Sequence, residues 1–249
     1  MFQPKTERVT KLAAKYPAQI QELETIFDKK TNIYIDYANV IPWSRKLGWH
    51  IELKRLKQFF FSFDTVNEAK FYFGTLAGDA RSEELIKEAT DLGFKVITKP
   101  VKIMKRSVDV SSIPPNSPDL LQNFISKPLL QKLNIEAIEY LNGQLKNLND
   151  TGILFVEERK CNFDVEIGRD LFIDYERSNI ENFVLWSGDS DFADPLKQLL
   201  SDGKKAYLFA TSRRVASELS ELQTSGLLIY DIQKIRNFIC WLKEMTVKP

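Results

Sequence analysis

Cysteine and histidine are scarce in this chain. Its 249 residues contain two cysteines, Cys161 and Cys240, and one histidine, His50. Two cysteines can form one disulfide at most, so the sequence does not indicate a disulfide-built domain. A single histidine gives little support to zinc sites of the Cys/His type or to a Ser-His-Asp triad. We therefore assign His50 no role and look elsewhere for the chemistry.

Long apolar runs and a strong charge of one sign are also missing. The densest apolar stretches, FYF, ILFV and VLW, are strand-sized, well short of the roughly 20 residues that a membrane helix needs. The opening MFQPKTERVTKL has no apolar signal core. With 35 Lys and Arg against 34 Asp and Glu, the net charge is +1, so any site for a polyanion must be local. These absences predict a cytoplasmic protein without a membrane partner.

Glycine-rich phosphate loops of the G-x-x-x-x-G-K-[ST] or G-x-G-x-x-G type are absent as well, which argues against nucleotide-driven motors and dinucleotide enzymes. The chain does have material for a core, since 43% of its residues are hydrophobic and 17 are Phe. The run Phe59–Phe63 is one such element, and we expect it to bury a helix against a sheet.

Short apolar runs alternate with polar segments of helical period, a pattern that predicts an α/β fold with parallel strands joined by crossover helices. The predicted strands are Ile33–Ala38, Ala69–Thr75, Phe94–Thr98, Ile153–Val156, Phe183–Trp186, Ala206–Phe209 and Leu227–Ile229. The predicted helices between and after them are Ser82–Leu92, Phe163–Glu176, Pro195–Ser201, Arg213–Glu221 and Ile232–Glu244.

Two regions fall outside this alternation. Residues 1–30 are predicted to form a helical arm, which we expect to pack on the domain formed by residues 31–249 rather than on a second subunit. An insertion at about residues 100–150 shows leucines at helical spacing after a Pro-rich turn. It is either a helix that covers the sheet edge or a lid or dimer surface, so a homodimer stays open.

Acidic residues stand after three different apolar segments. Asp36 ends the first strand, Asp189 and Asp191 follow a later strand, and Asp164 opens a helix. Loops at the carboxyl ends of parallel strands converge, so these side chains can meet. Each alone could be a helix cap or a turn residue, but caps need neither an Asp that ends a strand nor a D-x-D after another. Clustered carboxylates are usually compensated by a divalent cation, and oxygen ligands select Mg²⁺ or Mn²⁺.

Three motifs in this order resemble the NYN domains, a branch of the PIN-like nucleases, over roughly residues 31–230. They are Ile-Asp-x-x-Asn at Ile35–Asn39, Lys-x-x-x-Asp-Val at Lys160–Val165, and Ser-Gly-Asp-Ser-Asp-Phe at Ser187–Phe192. The resemblance implies a Rossmann-like, PIN-like parallel sheet with an acidic pocket for Mg²⁺ or Mn²⁺ and a ribonuclease activity. By this resemblance, the acidic positions of the family correspond to Asp36, Asp164, Asp189 and Asp191, with Asn39 as a polar companion and Asp170 as a structural acid. The chain departs from the family in its long insertion and in the two residues between Phe192 and Pro195.

The implied reaction is metal-assisted hydrolysis of RNA, which needs no protein base. We expect Asp36, Asp164 and Asp189 to hold the catalytic metal, and Asp191 to bind a second ion or orient the attacking water. Two alternatives remain: a non-catalytic RNA- or protein-binding module with the same fold, and a metal-dependent phosphatase of another α/β type. The late position of the D-x-D disfavours the phosphatase.

A local basic rim would hold the RNA, because the whole chain is nearly neutral. The best-placed group is Ser212 with Arg213 and Arg214, where a strand gives way to a predicted helix whose backbone N–H groups can face a phosphate. The other candidates are Lys95, Lys99, Lys102, Lys105, Arg106, Arg159 and Lys160.

Overall fold

The computed structural model describes residues 1–43, 48–211 and 215–242. The chain forms two compact units. The first joins Met1–Pro100 to Asn162–Pro249, and the second is Val101–Cys161. The first unit contains the sheet and all four predicted acidic site residues.

A six-stranded parallel sheet forms the centre of the first unit, in the strand order β4-β3-β1-β7-β8-β9. Its strands are β1 (Thr31–Asp36), β3 (Val66–Thr75), β4 (Lys95–Pro100), β7 (Asn182–Trp186), β8 (Lys205–Ala210) and β9 (Leu228–Asp231). A short antiparallel pair, β2 (Trp49–Ile51) and β10 (Cys240–Leu242), accompanies it. The predicted α/β class with a parallel sheet is confirmed.

Helices precede, connect and follow these strands. In the first unit they are α1 (Glu7–Lys15), α2 (Pro17–Ile26), α3 (Tyr37–Val40), α4 (Leu53–Phe60), α5 (Ala80–Asp91), α8 (Asp164–Arg177), α9 (Ala193–Ser201), α10 (Ser217–Glu221) and α11 (Arg236–Ile239). In the second unit they are α6 (Lys127–Leu130) and α7 (Ile135–Asp150). Short 3-10 segments cover Ile41–Trp43, Leu121–Asn123, Ser190–Phe192, Leu222–Ser225 and Ile232–Ile235.

The core of the first unit is aromatic. Every residue of β1 and β7 is buried, as expected for parallel strands covered on both faces. Phe60 of α4 packs with its ring centroid 5.7 Å from Trp186 and 6.2 Å from Phe209, and Phe59 and Phe63 are also fully buried. The expectation that the Phe59–Phe63 run belongs to the core is confirmed.

The N-terminal helices contribute to this core. Ile20, Leu23 and Ile26 of α2 are buried, and the Phe27 ring lies 4.7 Å from that of Phe63. Apolar side chains at this spacing form one face of the helix, and here that face packs on the first unit rather than remaining exposed.

One predicted strand does not pair with the strands of the parallel sheet, as it was expected to do. The predicted strand Ile153–Val156 is β6 (Phe155–Lys160), which pairs antiparallel with β5 (Lys102–Ser107) in the second unit instead of joining the parallel sheet. The two acids of β6 have basic partners in β5, since Lys105 lies opposite Glu157 and Arg106 is hydrogen-bonded to Glu158. Opposite charges across an antiparallel pair are stabilising.

The predicted C-terminal helix Ile232–Glu244 is also wrong for Cys240–Leu242, which form β10, and its last two residues lie outside the described part of the chain. The Glu52 N–H donates to the carbonyl of Ile239 at 2.9 Å, and Arg55 donates to that of Cys240 at 2.7 Å. These donors occupy carbonyl groups that a longer helix would use itself. Of the predicted helix Arg213–Glu221, the described part is helical from Ser217.

In the second unit, the leucine spacing correctly predicts a helix. Asn134 caps α7 by accepting a hydrogen bond from the Ala137 N–H at 3.0 Å. Asn142 is buried and donates to the carbonyls of Pro115 and Ser117 at 2.7 and 2.8 Å, which fixes the Pro-rich turn on the helix.

Within the described residues, no helix has both the length and the apolarity that crossing a bilayer requires.

Candidate functional site

Three aspartates converge at the carboxyl edge of the sheet. Asp164 comes from the start of α8, while Asp189 and Asp191 come from the turn after β7, and one carboxylate oxygen from each lies within 4.8 Å of the others. Asp164 and Asp189 are half-buried and Asp191 is exposed. Such a set of oxygen donors suits Mg²⁺ or Mn²⁺.

Asp164 is not a helix cap. Phe163 occupies the cap position of α8, and Asp164 is the first helical residue. Its carboxylate accepts a hydrogen bond from the Asn162 side chain at 3.1 Å. Burial raises the pKa of Asp164, the charges of Asp189 and Asp191 raise it further, and Asn162 and Lys99 lower it. The capping alternative therefore does not account for this residue.

Asp189 does act locally as a cap, because its carboxylate accepts the Asp191 N–H at 3.3 Å at the start of the 3-10 turn. Its own N–H donates to the Ser187 hydroxyl at 3.3 Å. These bonds hold the D-x-D segment in a tight turn directly after β7.

Asp36 lies at the end of β1 and is only 6% exposed. Its carboxylate accepts hydrogen bonds from the Ser187 hydroxyl, at 3.3 Å, and from Asn39. Burial raises its pKa to about 6 against the lowering effect of these bonds, and the negative charge of Asp164 adds to the rise. Asp36 is thus an electrostatic neighbour of Asp164 but not a member of the mutually close group of three.

Two further acids of α8 face the sheet and are bonded to it. Asp170 accepts a hydrogen bond from the Tyr72 hydroxyl at 2.9 Å and pairs with Arg169. Asp174 accepts from the Tyr34 hydroxyl at 2.5 Å and pairs with Lys70 at 2.7 Å. Both acids are buried, so these bonds anchor the helix that begins with Asp164.

Sequence reasoning expected a structural role for Asp170 but missed Asp174 and Lys70. A signal existed in the alternating Asn32, Tyr34 and Asp36 of β1, which place polar groups on one face of a buried strand. Asn32 donates to Asp174 at 2.7 Å, so the same face that presents Asp36 also carries the anchor of α8.

Among the predicted basic residues, Lys99 lies beside the acidic group. Its ammonium pairs with Glu166 at 2.7 Å, lies 4.8 Å from the ring centroid of Phe163 and lowers the pKa of Asp164. Lys95 pairs with Glu68 at 3.3 Å.

Five other basic candidates belong to the antiparallel β5–β6 pair of the second unit: Lys102, Lys105, Arg106, Arg159 and Lys160. Lys160 pairs through its backbone with Lys102, and its side chain is exposed. Ser212, Arg213 and Arg214 lie outside the described residues.

The geometry thus combines an acidic cluster, a buried strand-end carboxylate and an anchored helix in a parallel α/β unit. Residues 123–226 match the NYN domain. The NYN domain belongs to the PIN-like superfamily, so the predicted resemblance is confirmed for this part of the chain. The matched segment includes Asp164, Asp189 and Asp191, whereas the Asp36 motif precedes it. NYN domains are typically nucleases, so the match suggests a nuclease-like fold, and the described part of the chain contains an aspartate cluster.

No curated protein is significantly similar to this chain. A crystal structure of a protein of unknown function from Vibrio parahaemolyticus is 15% identical, with a TM-score of 0.49. The similarity covers 86% of this chain and 96% of the other.

Proposed function

We propose that this protein is a Mg²⁺- or Mn²⁺-dependent ribonuclease. The observation that carries the proposal is the convergence of Asp164, Asp189 and Asp191, whose carboxylate oxygens gather from two separate segments of the NYN-matched region. Like charges within 4.8 Å repel, and a divalent cation offsets that repulsion. The buried Asp36, whose pKa the charge of Asp164 raises, supplies a fourth carboxylate.

Asp36, Asp164 and Asp189 would hold the metal ion, directly or through water, and the donors around them have the chemistry that such an ion requires. When bound, the ion activates a water and neutralises charge on the phosphate. Ser187 and Asn39 orient the Asp36 carboxylate, and Asn162 orients that of Asp164. Asp191, the exposed member, binds a second ion or orients the attacking water.

The substrate is RNA, as the family match suggests. Lys99 is a described cation whose charge lowers the pKa of Asp164, and its ammonium can contact a phosphate oxygen that approaches the cluster. Contacts from Asn39, Lys160, Ser212 and Arg213 to the RNA remain part of the proposal, as does a homodimer.

Asparagine at Asp164 or Asp189 should reduce Mn²⁺-dependent cleavage of labelled single-stranded RNA by about a thousandfold or more, because the change removes a metal-binding charge while keeping the shape. The same assay with Asp36→Asn tests the fourth carboxylate. Asp91→Asn, a change at an exposed acid of α5, is the matched control and should cleave at the wild-type rate.

Undiminished cleavage by both Asp164→Asn and Asp189→Asn would contradict the assignment. RNA binding without cleavage in either Mg²⁺ or Mn²⁺ would favour the binding-module alternative. Turnover of a small chromogenic phosphomonoester, with RNA left intact, would favour the phosphatase.

A further inference from the structure

A cavity of about 510 Å³ opens beside the segment that follows β1. Aromatic side chains from three elements line it, namely Tyr37, His50 and Phe73, and charged side chains of α5 line it as well. Its volume lies within the range of roughly 300 to 1,000 Å³ that small-molecule sites occupy. Aromatic walls with a few polar groups are typical of such sites.

The cavity shares one helical turn with the candidate metal centre. Tyr37, Val40 and Ile41 line the cavity, and they are spaced by three and four residues, so they lie on one side of the turn. Asn39 lies on another side and bonds the Asp36 carboxylate. Tyr37 directly follows Asp36, and consecutive Cα atoms are about 3.8 Å apart. A group bound in the cavity is therefore a close neighbour of the candidate site.

The Tyr37 side chain forms a packed aromatic wall of the cavity. It is only 8% exposed, and its ring is fixed by Phe71 and Phe73, at centroid distances of 4.6 and 5.8 Å.

Helix α5 supplies the charged wall. Arg81, Glu84 and Glu88 all line the cavity, and their spacing places them along one face of the helix. Within the part of the chain that the structure describes, none of the three forms an ion pair. The wall thus offers both carboxylate acceptors and guanidinium donors to a ligand.

We propose that this cavity binds one base of the RNA, next to the scissile phosphate, and that it prefers guanine. The inference rests on the proposed nuclease function. A base stacks on the aromatic rings as in other single-strand binders. Guanine presents two adjacent N–H donors, which suit a carboxylate of Glu84 or Glu88, and the O6 and N7 acceptors, which suit Arg81. The other three RNA bases match fewer of these groups at once.

The first test maps cleavage positions on a random-sequence single-stranded RNA pool. Wild-type protein should show guanine enriched about fivefold or more at one fixed position beside the cut, since a good base contact corresponds to roughly 1–3 kcal/mol. Glu88→Gln should lose most of that enrichment. Glu83→Gln, on the same helix but away from the cavity lining, is the matched control and should keep it.

The second test measures binding without cleavage. Isothermal titration of the full-length Asp189→Asn variant with guanosine monophosphate should show tighter binding than with cytidine monophosphate. Adding Glu88→Gln should weaken the guanosine nucleotide about tenfold, which corresponds to about 1.4 kcal/mol.

The two tests separate this inference from the nuclease proposal. If wild-type protein cleaves RNA with the same base frequencies as the Glu88→Gln variant, the cavity inference is overturned and the nuclease proposal stands. If wild-type protein does not cleave RNA, the nuclease proposal fails, and the titration alone tests whether the cavity binds a base. Equal affinity for both nucleotides, or no effect of Glu88→Gln, overturns the cavity inference.

Discussion

Among individual residues, Asp36 lies in an environment that strongly affects its charge. It lies at the end of a fully buried strand, and its pKa of about 6 is well above the ordinary value of 3.8 because burial penalises the charged form. Hydrogen bonds from Asn39 and Ser187 offset part of this penalty. Without a cation, the folded protein therefore binds a proton at Asp36 more tightly than the unfolded chain does.

The stability of the metal-free protein should fall as the pH rises from about 4 to about 6. In this window the folded state holds more protons at Asp36 than the unfolded state, so raising the pH favours unfolding. At about 1.4 kcal/mol for each unit of pKa change, the loss is on the order of 2 to 3 kcal/mol. Urea unfolding in EDTA across this range would measure it.

Asp36→Asn serves as the comparison, because it removes the titrating group and should flatten the stability profile between pH 4 and 6. A profile equally steep in the wild type and in the variant would show that other acids cause the slope. Added Mg²⁺ should also reduce the slope in the wild type, since the ion takes the place of the proton.

At the scale of elements, helix α8 determines where Asp164 lies. Asp170 and Asp174 bind it to strands β3 and β1 through Tyr72, Tyr34 and Lys70. Lys70 is 3% exposed, and a buried ion pair that loses one partner leaves a charge without compensation. Helix position and site geometry therefore depend on the same buried bonds.

Asp174→Asn should lower the free energy of unfolding by about 3 to 5 kcal/mol, because Lys70 loses its carboxylate in a buried setting. Tyr72→Phe removes one hydrogen bond and should cost about 1 to 2 kcal/mol. Tyr175→Phe, on the partly exposed side of the same helix, should be nearly neutral. Urea midpoints at constant m-value would measure all three.

A cost below about 1 kcal/mol for Asp174→Asn would mean that Lys70 finds another acceptor. Glu68 is the available candidate, since one of its carboxylate oxygens lies 3.9 Å from the Lys70 ammonium. The double variant with Glu68→Gln would reveal such a replacement.

Only part of this arrangement of elements could be predicted from the sequence. The alternation of apolar runs and helical segments predicted the six strands of the parallel sheet, since strands buried on both faces appear in the sequence as nearly continuous apolar runs. The position of Asp164 on α8 followed from helical spacing. The pairing of Lys70 with Asp174 could not be predicted, because it depends on which strand lies beneath the helix. For the same reason, β6 was wrongly expected in the sheet, since its acids find their partners in β5.

At the scale of the whole molecule, net charge is a weak guide to binding. The chain carries a net charge of +1, and several of its predicted rim cations already pair with acids, including Lys95, Lys99 and Arg106. Affinity for a polyanion must then come from a few local contacts, and such contacts depend on salt.

The affinity of the Asp189→Asn protein for single-stranded RNA should fall steeply with salt. Arg213→Ala should weaken binding and flatten the slope of log affinity against log salt by about 0.7, the value for one lost phosphate contact on a single strand. Fluorescence anisotropy between 50 and 200 mM salt, a range in which such contacts dominate, would measure this. Lys15→Ala, at an exposed end of α1, is the control, and an equal slope in all three proteins would remove Arg213 from the RNA contacts.

The Ser187 hydroxyl donates its proton to Asp36 and accepts the N–H of Asp189. A hydroxyl has only one proton to give, so Ser187 donates to the carboxylate of Asp36 and not to that of Asp189. The Asp36 carboxylate is also bonded by Asn39, whereas the Asp189 carboxylate accepts the Asp191 N–H. The two carboxylates therefore differ in their hydrogen-bond donors before any ligand enters, and two ions bound beside them would be held with different strength.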